Sequence, residues 1–254
     1  MSGQITQGNT LTKKDGVAEI EFSYPPHNSL TLAGLMDLSA KIDEVSADEG
    51  IRAVIIKSTG ARTFCAGANF DELAAVSTME EAVLFFGGFA SLFYSMALCE
   101  KPILCRVQGK AVGGALGIIA SSDLCYATTH AQIKLSELNV GIGPFVVGPP
   151  IENKIGRGNL QKLAFNPNVF YSAEWTMARG MYTEVFGCIE EADEKIAEKT
   201  QELINFNPAA VKQIKSILKP DLLAFKELLD YRKQLSAGLL LSDFTRNRLK
   251  KLTK

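Results

Sequence analysis

Two short glycine-bearing stretches, each leading out of an apolar run, are the first places in this chain where chemistry can be sought. One is AVGGALGIIASSD, Ala111 to Asp123, which has no acid, base or nucleophile before its last residue; the other is TFCAGANFDEL, Thr63 to Leu73. Turns of this kind act through backbone N–H groups, which face an anion where a strand turns into a helix. A bound phosphate is not indicated: Gly109 to Gly117 reads G-K-A-V-G-G-A-L-G, with its lysine too early for a phosphate loop and without G-x-G-x-x-G. Gly113 and Gly114 also fit a plainer role, close packing of a helix on a strand. Two such turns in one chain favour function, because each can aim one N–H at the same oxygen. That arrangement is an oxyanion hole, in which one donor is worth about 3 kcal/mol of transition-state stabilisation.

The elements that must carry these turns follow from periodicity. GVAEIEF (Gly16–Phe22) alternates as a half-buried strand and is broken by PPHNS. From Thr31 the residues Leu32, Leu35, Met36, Leu38, Ile42 and Val45 keep helical spacing. AVIIKS (Ala53–Ser58) and ILCRV (Ile103–Val107) predict buried strands, each feeding one of the glycine turns. Thr78 with Glu81 forms a capping box for a helix that ends before Pro102, and another helix spans about Gly114 to Ser122. LCYA (Leu124–Ala127) and QIKL (Gln132–Leu135) predict two more strands. Beyond Glu190 only helical periodicity remains. The chain therefore divides into an α/β core, residues 1–190, and a helical C-terminal region, residues 191–254.

Composition narrows the function. The 254 residues are 46% hydrophobic and 22% charged, with a formal net charge of −1, a balance that argues against general nucleic-acid binding. Five cysteines without C-x-x-C spacing, and an N-terminus without a basic and apolar leader pattern, predict free thiols in a cytoplasmic protein. The apolar run Val83 to Leu98 is interrupted by Gly87, Gly88, Ser91 and Ser95 and is expected to be a buried helix, not a membrane span. Only two histidines, His27 and His130, are present, and no metal site is expected. Cys65 has no histidine partner in view and is expected to be a small packed residue.

Four segments resemble the crotonase superfamily, the enoyl-CoA hydratase and isomerase family. They are F-C-A-G-A-N-F at Phe64–Phe70, G-K-A-V-G-G-A-L-G…S-D at Gly109–Asp123, L-S-E-L-N-V-G at Leu135–Gly141, and Y-S-A-E-W…R-G-M-Y-T-E-V-F at Tyr171–Phe186. The resemblance implies an α/β spiral of ββα units with a C-terminal helical trimerisation region, hence homotrimers or hexamers. It implies an acyl-CoA substrate, coenzyme A being part of the thioester and no separate cofactor being needed. Carried over by position, the oxyanion donors are the N–H groups of Ala66 and Gly114, beside Gly113. Ala66, Ala68, Asn69 and Phe70 line the path of the coenzyme, Asn28 and Ser29 stand at the start of its channel, and Phe145 belongs to the bulky segment GIGPFVVGPP that shapes the acyl pocket. On charge alone, Lys250, Lys251 or Arg246 is expected to reach a coenzyme phosphate of a neighbouring subunit in such an assembly.

The resemblance also assigns the proton carrier and exposes a departure. Hydratases of the family hold a water between two glutamates. The second maps to Glu137, whose apolar neighbours Ile142, Phe145 and Val146 are expected to raise its pKa; at the first the chain has Gly117. Asp71, Glu72, Glu81 and Tyr94 are the conceivable substitutes. The expected activity is hydration of a short or branched enoyl-CoA, as in a methylglutaconyl-type hydratase, with isomerisation second. A coenzyme A-dependent decarboxylase and a catalytically silent acyl-CoA binder are the alternatives.

Overall fold

The computed structural model describes residues 7–252. Strands β1 (Gly8–Lys14) and β2 (Val17–Ser23) form an antiparallel pair, and α1 (Leu32–Ala47) follows, capped by the Thr31 side chain accepting from the N–H of Gly34. The chain then winds in repeated turns. β3 (Ala53–Ser58) and β4 (Thr63–Cys65) lead to α2 (Phe70–Ala75) and α3 (Met79–Leu98). β5 (Ile103–Val107) and β6 (Lys110–Val112) lead to α4 (Ala115–Ser121). β7 (Leu124–Thr128) and β8 (Ile133–Lys134) lead to a short 3-10 turn, Glu137–Val140. Then come α5 (Gly148–Ile155), α6 (Arg157–Phe165), α7 (Ala173–Met177), β9 (Glu184–Phe186), α8 (Ile189–Asn205), α9 (Pro208–Leu218), α10 (Leu222–Leu240) and α11 (Asp243–Leu252).

Three turns of the spiral, β3–β4, β5–β6 and β7–β8, each give one strand to each of two sheets. The larger sheet has the order β1-β2-β3-β5-β7-β9, parallel except for β1; the smaller is parallel with the order β4-β6-β8. The segments leaving β4, β6 and β8 therefore emerge side by side at one edge. This is what positions the site: residues 66–70, 113–114 and 136–137 come from three successive turns and meet there.

Two strands lie outside the periodicity. β1, GNTLTKK, has one apolar side chain and is an edge strand whose pairing with β2 supplies its order; β9 has only three residues, all half-buried. α3 is long and apolar enough to cross a membrane by length and composition. In the fold it packs against α1 and α10 and buries Phe85, Phe89, Leu92, Phe93 and Met96, each fully buried phenylalanine contributing about 2–3 kcal/mol. The capping box of Thr78 and Glu81 closes its N-terminus. α8 covers the larger sheet with Ala192, Ile196 and Thr200, while α10 lays Phe225, Leu229, Ala237 and Leu240 inward.

Candidate active site

The first wall is a backbone turn. Leu30 N–H donates to the Gly67 carbonyl at 2.8 Å and Asn69 N–H to the Leu30 carbonyl at 2.9 Å. In this parallel bridge between Leu30 and Ala68 the Ala68 N–H therefore points away from Leu30. Gly67, at φ +85°, reverses the alternation between Ala66 and Ala68, and a Cβ there would lie 2.7 Å from the Val112 carbonyl oxygen. Only glycine permits both the left-handed backbone and the close approach. On the neighbouring turn Gly113 donates to the Lys134 carbonyl at 2.9 Å, and Gly114 opens α4. The N–H groups of Ala68 and Gly114 have no acceptor among the described residues.

Ala66 is a correction. Its N–H donates to the His27 carbonyl at 3.0 Å and so is not available to a ligand. The open donor is two residues later, at Ala68, because the sequence does not show which way the chain turns at Gly67.

Glu137 begins the 3-10 turn after β8. The residue is half-buried, but Oε2 is enclosed and has no hydrogen-bond partner. Burial raises its carboxyl to a pKa of about 7, opposed only by the backbone N–H groups of Glu137 and Ser136. Its Oε1 lies 3.1 Å from where a Cβ on Gly113 would stand, so the carboxylate sits against the glycine pair. The turn is held from the C-terminal region: Thr245 Oγ1 donates to the Gly141 carbonyl at 3.0 Å and Arg248 Nε to the Asn139 carbonyl at 2.9 Å.

These groups open onto a cavity of about 80 Å³. Its walls are the Ala66–Ala68 turn with Phe70, the α3 rings of Phe86, Phe89 and Phe93, the Val140–Val147 segment including Phe145, and Ser236 from α10. Glu137 is the one titratable side chain among the described residues that line it. The position of the family's other glutamate is closed by Phe93: a Cβ on Gly117 would lie 2.1 Å from the ring's Cζ. No substitute enters. Asp71, Glu72, Glu81 and Tyr94 do not line the cavity; Glu72 accepts from the Leu32 N–H, and Glu81 is spent on Ser77 and Thr78.

Of the residues expected to touch substrate, Ala68, Phe70, Gly113, Gly114 and Phe145 line the cavity and Asn28, Ser29 and Asn69 do not. Asn28, at φ +54°, is buried, accepts from the Tyr24 N–H and donates to the Thr59 and Thr63 carbonyls, so its side chain builds the turn. Asn69 caps α2 through the Glu72 N–H and faces the Ser29 hydroxyl at 3.5 Å. Arg246 donates to the Ser77 carbonyl of its own chain, while Lys250 and Lys251 are exposed. Cys65 is buried, accepts from the Gly67 N–H, and has its thiol pushed up to about 12 by burial. Asp123 joins the Ile103 N–H to Lys215 of α9. Among the described residues no three His, Cys, Asp or Glu side chains cluster for a metal. Sequence reasoning missed Phe86, Phe89, Phe93 and Ser236, which lie on helices remote in sequence from the glycine turns; the aromatic spacing of 86, 89 and 93 on α3 was the one signal for the rings, and Ser236 had none.

A spiral of strand pairs and helices, with two open backbone donors and one carboxylate at the edge of the smaller sheet, defines the crotonase class of fold. The enoyl-CoA hydratase/isomerase family model matches residues 12–243, and the chain belongs to that family. It is 33% identical over 132 residues to a probable enoyl-CoA hydratase of Bacillus subtilis, covering 52% of this chain and 51% of the relative. It is 30% identical over 160 residues to a short-chain-enoyl-CoA hydratase of Clostridium acetobutylicum, covering 62% and 61%. The chain thus spans between half and two thirds of the length of these curated relatives. The crystal structure of an enoyl-CoA hydratase from Bacillus halodurans superposes with a TM-score of 0.89 at 16% identity, covering 96% of this chain and 99% of that one, a likeness of fold.

Proposed function

We propose that this protein moves a carbon–carbon double bond along a short, uncharged acyl chain carried as a coenzyme A thioester. The thioester oxygen accepts from the N–H groups of Ala68 and Gly114, which lowers the acidity barrier at the neighbouring carbon and holds the enolate that follows. Glu137 takes a proton from one carbon; the electron pair delocalises onto the thioester oxygen; the same carboxyl returns a proton to a carbon two positions away. No water is consumed and the acyl chain keeps its mass.

One observation carries this proposal: Glu137 is the one titratable lining group, with Phe93 where a second carboxylate would stand. Hydration needs one group to activate water and another to protonate carbon, whereas isomerisation needs one carrier. The lining also contains no cationic side chain among the described residues, which favours an uncharged chain over the methylglutaconyl type and over a malonyl-type decarboxylation, both of which seat a carboxylate. Assembly into trimers or hexamers belongs to the same proposal and is supported by the exposure of Ile217 and Leu218 on α9.

The test is incubation with a 3-enoyl-CoA in heavy water, followed by mass spectrometry of the thioesters. A conjugated product that carries deuterium without added water is expected. With the conjugated 2-enoyl-CoA offered in its place, a gain of one water would establish hydration instead, and both thioesters returned unchanged would leave a silent binder.

A further inference from the structure

Ser236 interrupts the buried stripe of α10, where Phe225, Leu229, Ala237 and Leu240 are apolar or small. It is 1% exposed, and what surface it has faces the cavity. Its hydroxyl has no hydrogen-bond partner among the described residues, which sets it apart from every other buried serine and threonine there. Ser39 pairs with Ser95, Ser122 donates to the Ile118 carbonyl, Thr128 to Gln108 and Thr200 to Ile196, and the remainder are likewise bonded. A serine inside a helix ordinarily turns to the carbonyl four residues earlier, as Ser122 does; Ser236 does not bond Arg232. An unpaired hydroxyl in an apolar wall is costly unless something arrives to pair with it.

We infer that Ser236 is a specificity-determining residue that hydrogen-bonds an oxygen on the acyl chain, a hydroxyl or a keto group remote from the thioester. A serine hydroxyl both donates and accepts, so it meets either. A carboxylate is the wrong partner, since the lining offers it no cation. Pockets that fix orientation with few polar groups in apolar walls discriminate in this way, because the chain lacking the oxygen leaves the buried hydroxyl unpaired. The inference rests on the cavity being the acyl site but not on the chemistry of Glu137.

Calorimetry with freshly prepared saturated thioesters tests it: pentanoyl-CoA against chains of the same length bearing a hydroxyl or a keto oxygen at carbon 4, or a hydroxyl at carbon 5. The wild type is expected to bind at least one oxygenated chain about five- to tenfold more tightly than pentanoyl-CoA. Ser236→Ala should lose that preference while binding pentanoyl-CoA no more weakly. The member of the series preferred identifies hydroxyl or keto. Equal binding across the series by the wild type, or a preference that survives in Ser236→Ala, overturns the inference and leaves the acyl site standing. Failure of every thioester to bind removes the acyl site and the inference together.

Discussion

The ring of Phe93 occupies the space that a side chain at residue 117 would need, with Cζ 2.1 Å from the Cβ that Gly117 lacks. Glycine at 117 and phenylalanine at 93 thus fit one another, the ring filling the space that a longer side chain at 117 would take. Gly117→Glu alone should overpack the α3–α4 contact and cost about 1–3 kcal/mol, read as a lower denaturation midpoint. Combined with Phe93→Ala, which vacates the space, the same glutamate should fold and shift products toward hydration. Hydration unchanged in a folded double variant would show that the missing carboxylate is not what decides the reaction.

On the proposed mechanism Glu137 should carry the pH dependence. With its carboxyl at about 7, kcat/KM should rise with pH and level off above that value, because the ionised form is the base. Glu137→Gln should lower turnover by about 10²–10⁴-fold while coenzyme A thioesters still bind. Stability runs the other way. A carboxyl with a raised folded-state pKa binds more protons folded than unfolded between its ordinary value of 4.5 and about 7, so its contribution is present below that window and is lost as pH rises through it. Glu137→Gln should therefore melt higher than wild type at pH 8, and the two should converge near pH 4; a pH-independent difference would contradict the raised pKa.

The proposed oxyanion hole depends on how closely two turns approach. A methyl group on Gly67 would sit 2.7 Å from the Val112 carbonyl oxygen at φ +85°, so Gly67→Ala must separate the Ala68 and Gly114 donors or strain the backbone. Losing one well-placed donor costs about 10²–10³-fold in kcat. The expected result is that loss with little change in thioester affinity. Retained turnover in Gly67→Ala would place the donors elsewhere.

How much of this was open to a reader of the sequence varies with the range of the interaction involved. The strands Ala53–Ser58 and Ile103–Val107 and the Thr78–Glu81 cap are local patterns, and they stand as the periodicity predicts. Glu137 and Gly114 were reachable because a short motif carries each. The donor at Ala68 was not, since it depends on the sense of one glycine dihedral and on a hydrogen bond from Ala66 to His27, 39 residues away in the chain. Asn28 was expected at the coenzyme channel because the resemblance placed it there by position; its bonds to Tyr24, Thr59 and Thr63 show it consumed by the fold. Phe93 and Ser236 reach the cavity only through the packing of α3 and α10, which no local pattern records.

Cys65 offers a control beside the hole. Its thiol is buried, protonated at any working pH because burial pushes it to about 12, and serves as acceptor for the Gly67 N–H. Cys65→Ala should keep kcat within about threefold of wild type, as expected for a residue outside the chemistry, and native protein should resist iodoacetamide at this position. Loss of activity with the fold intact would reopen the nucleophile role.

Helix α11 holds the turn that carries Glu137. Arg248 and Thr245 on α11 donate to the carbonyls of Asn139 and Gly141, the far end of the turn that Glu137 begins. Neither side chain lines the cavity, so each acts by positioning. Removing a donor from these carbonyls should let the 3-10 turn fray and spread the carboxylate over more orientations than the one against Gly113. Thr245→Val, isosteric and buried, and Arg248→Ala should each lower kcat about tenfold, with KM little changed. Their combination should fall short of the product of the two, because both restrain one turn. Amide exchange at residues 139–142 should accelerate in both variants. A fall in activity without faster exchange there would mean that α11 influences Glu137 by another route.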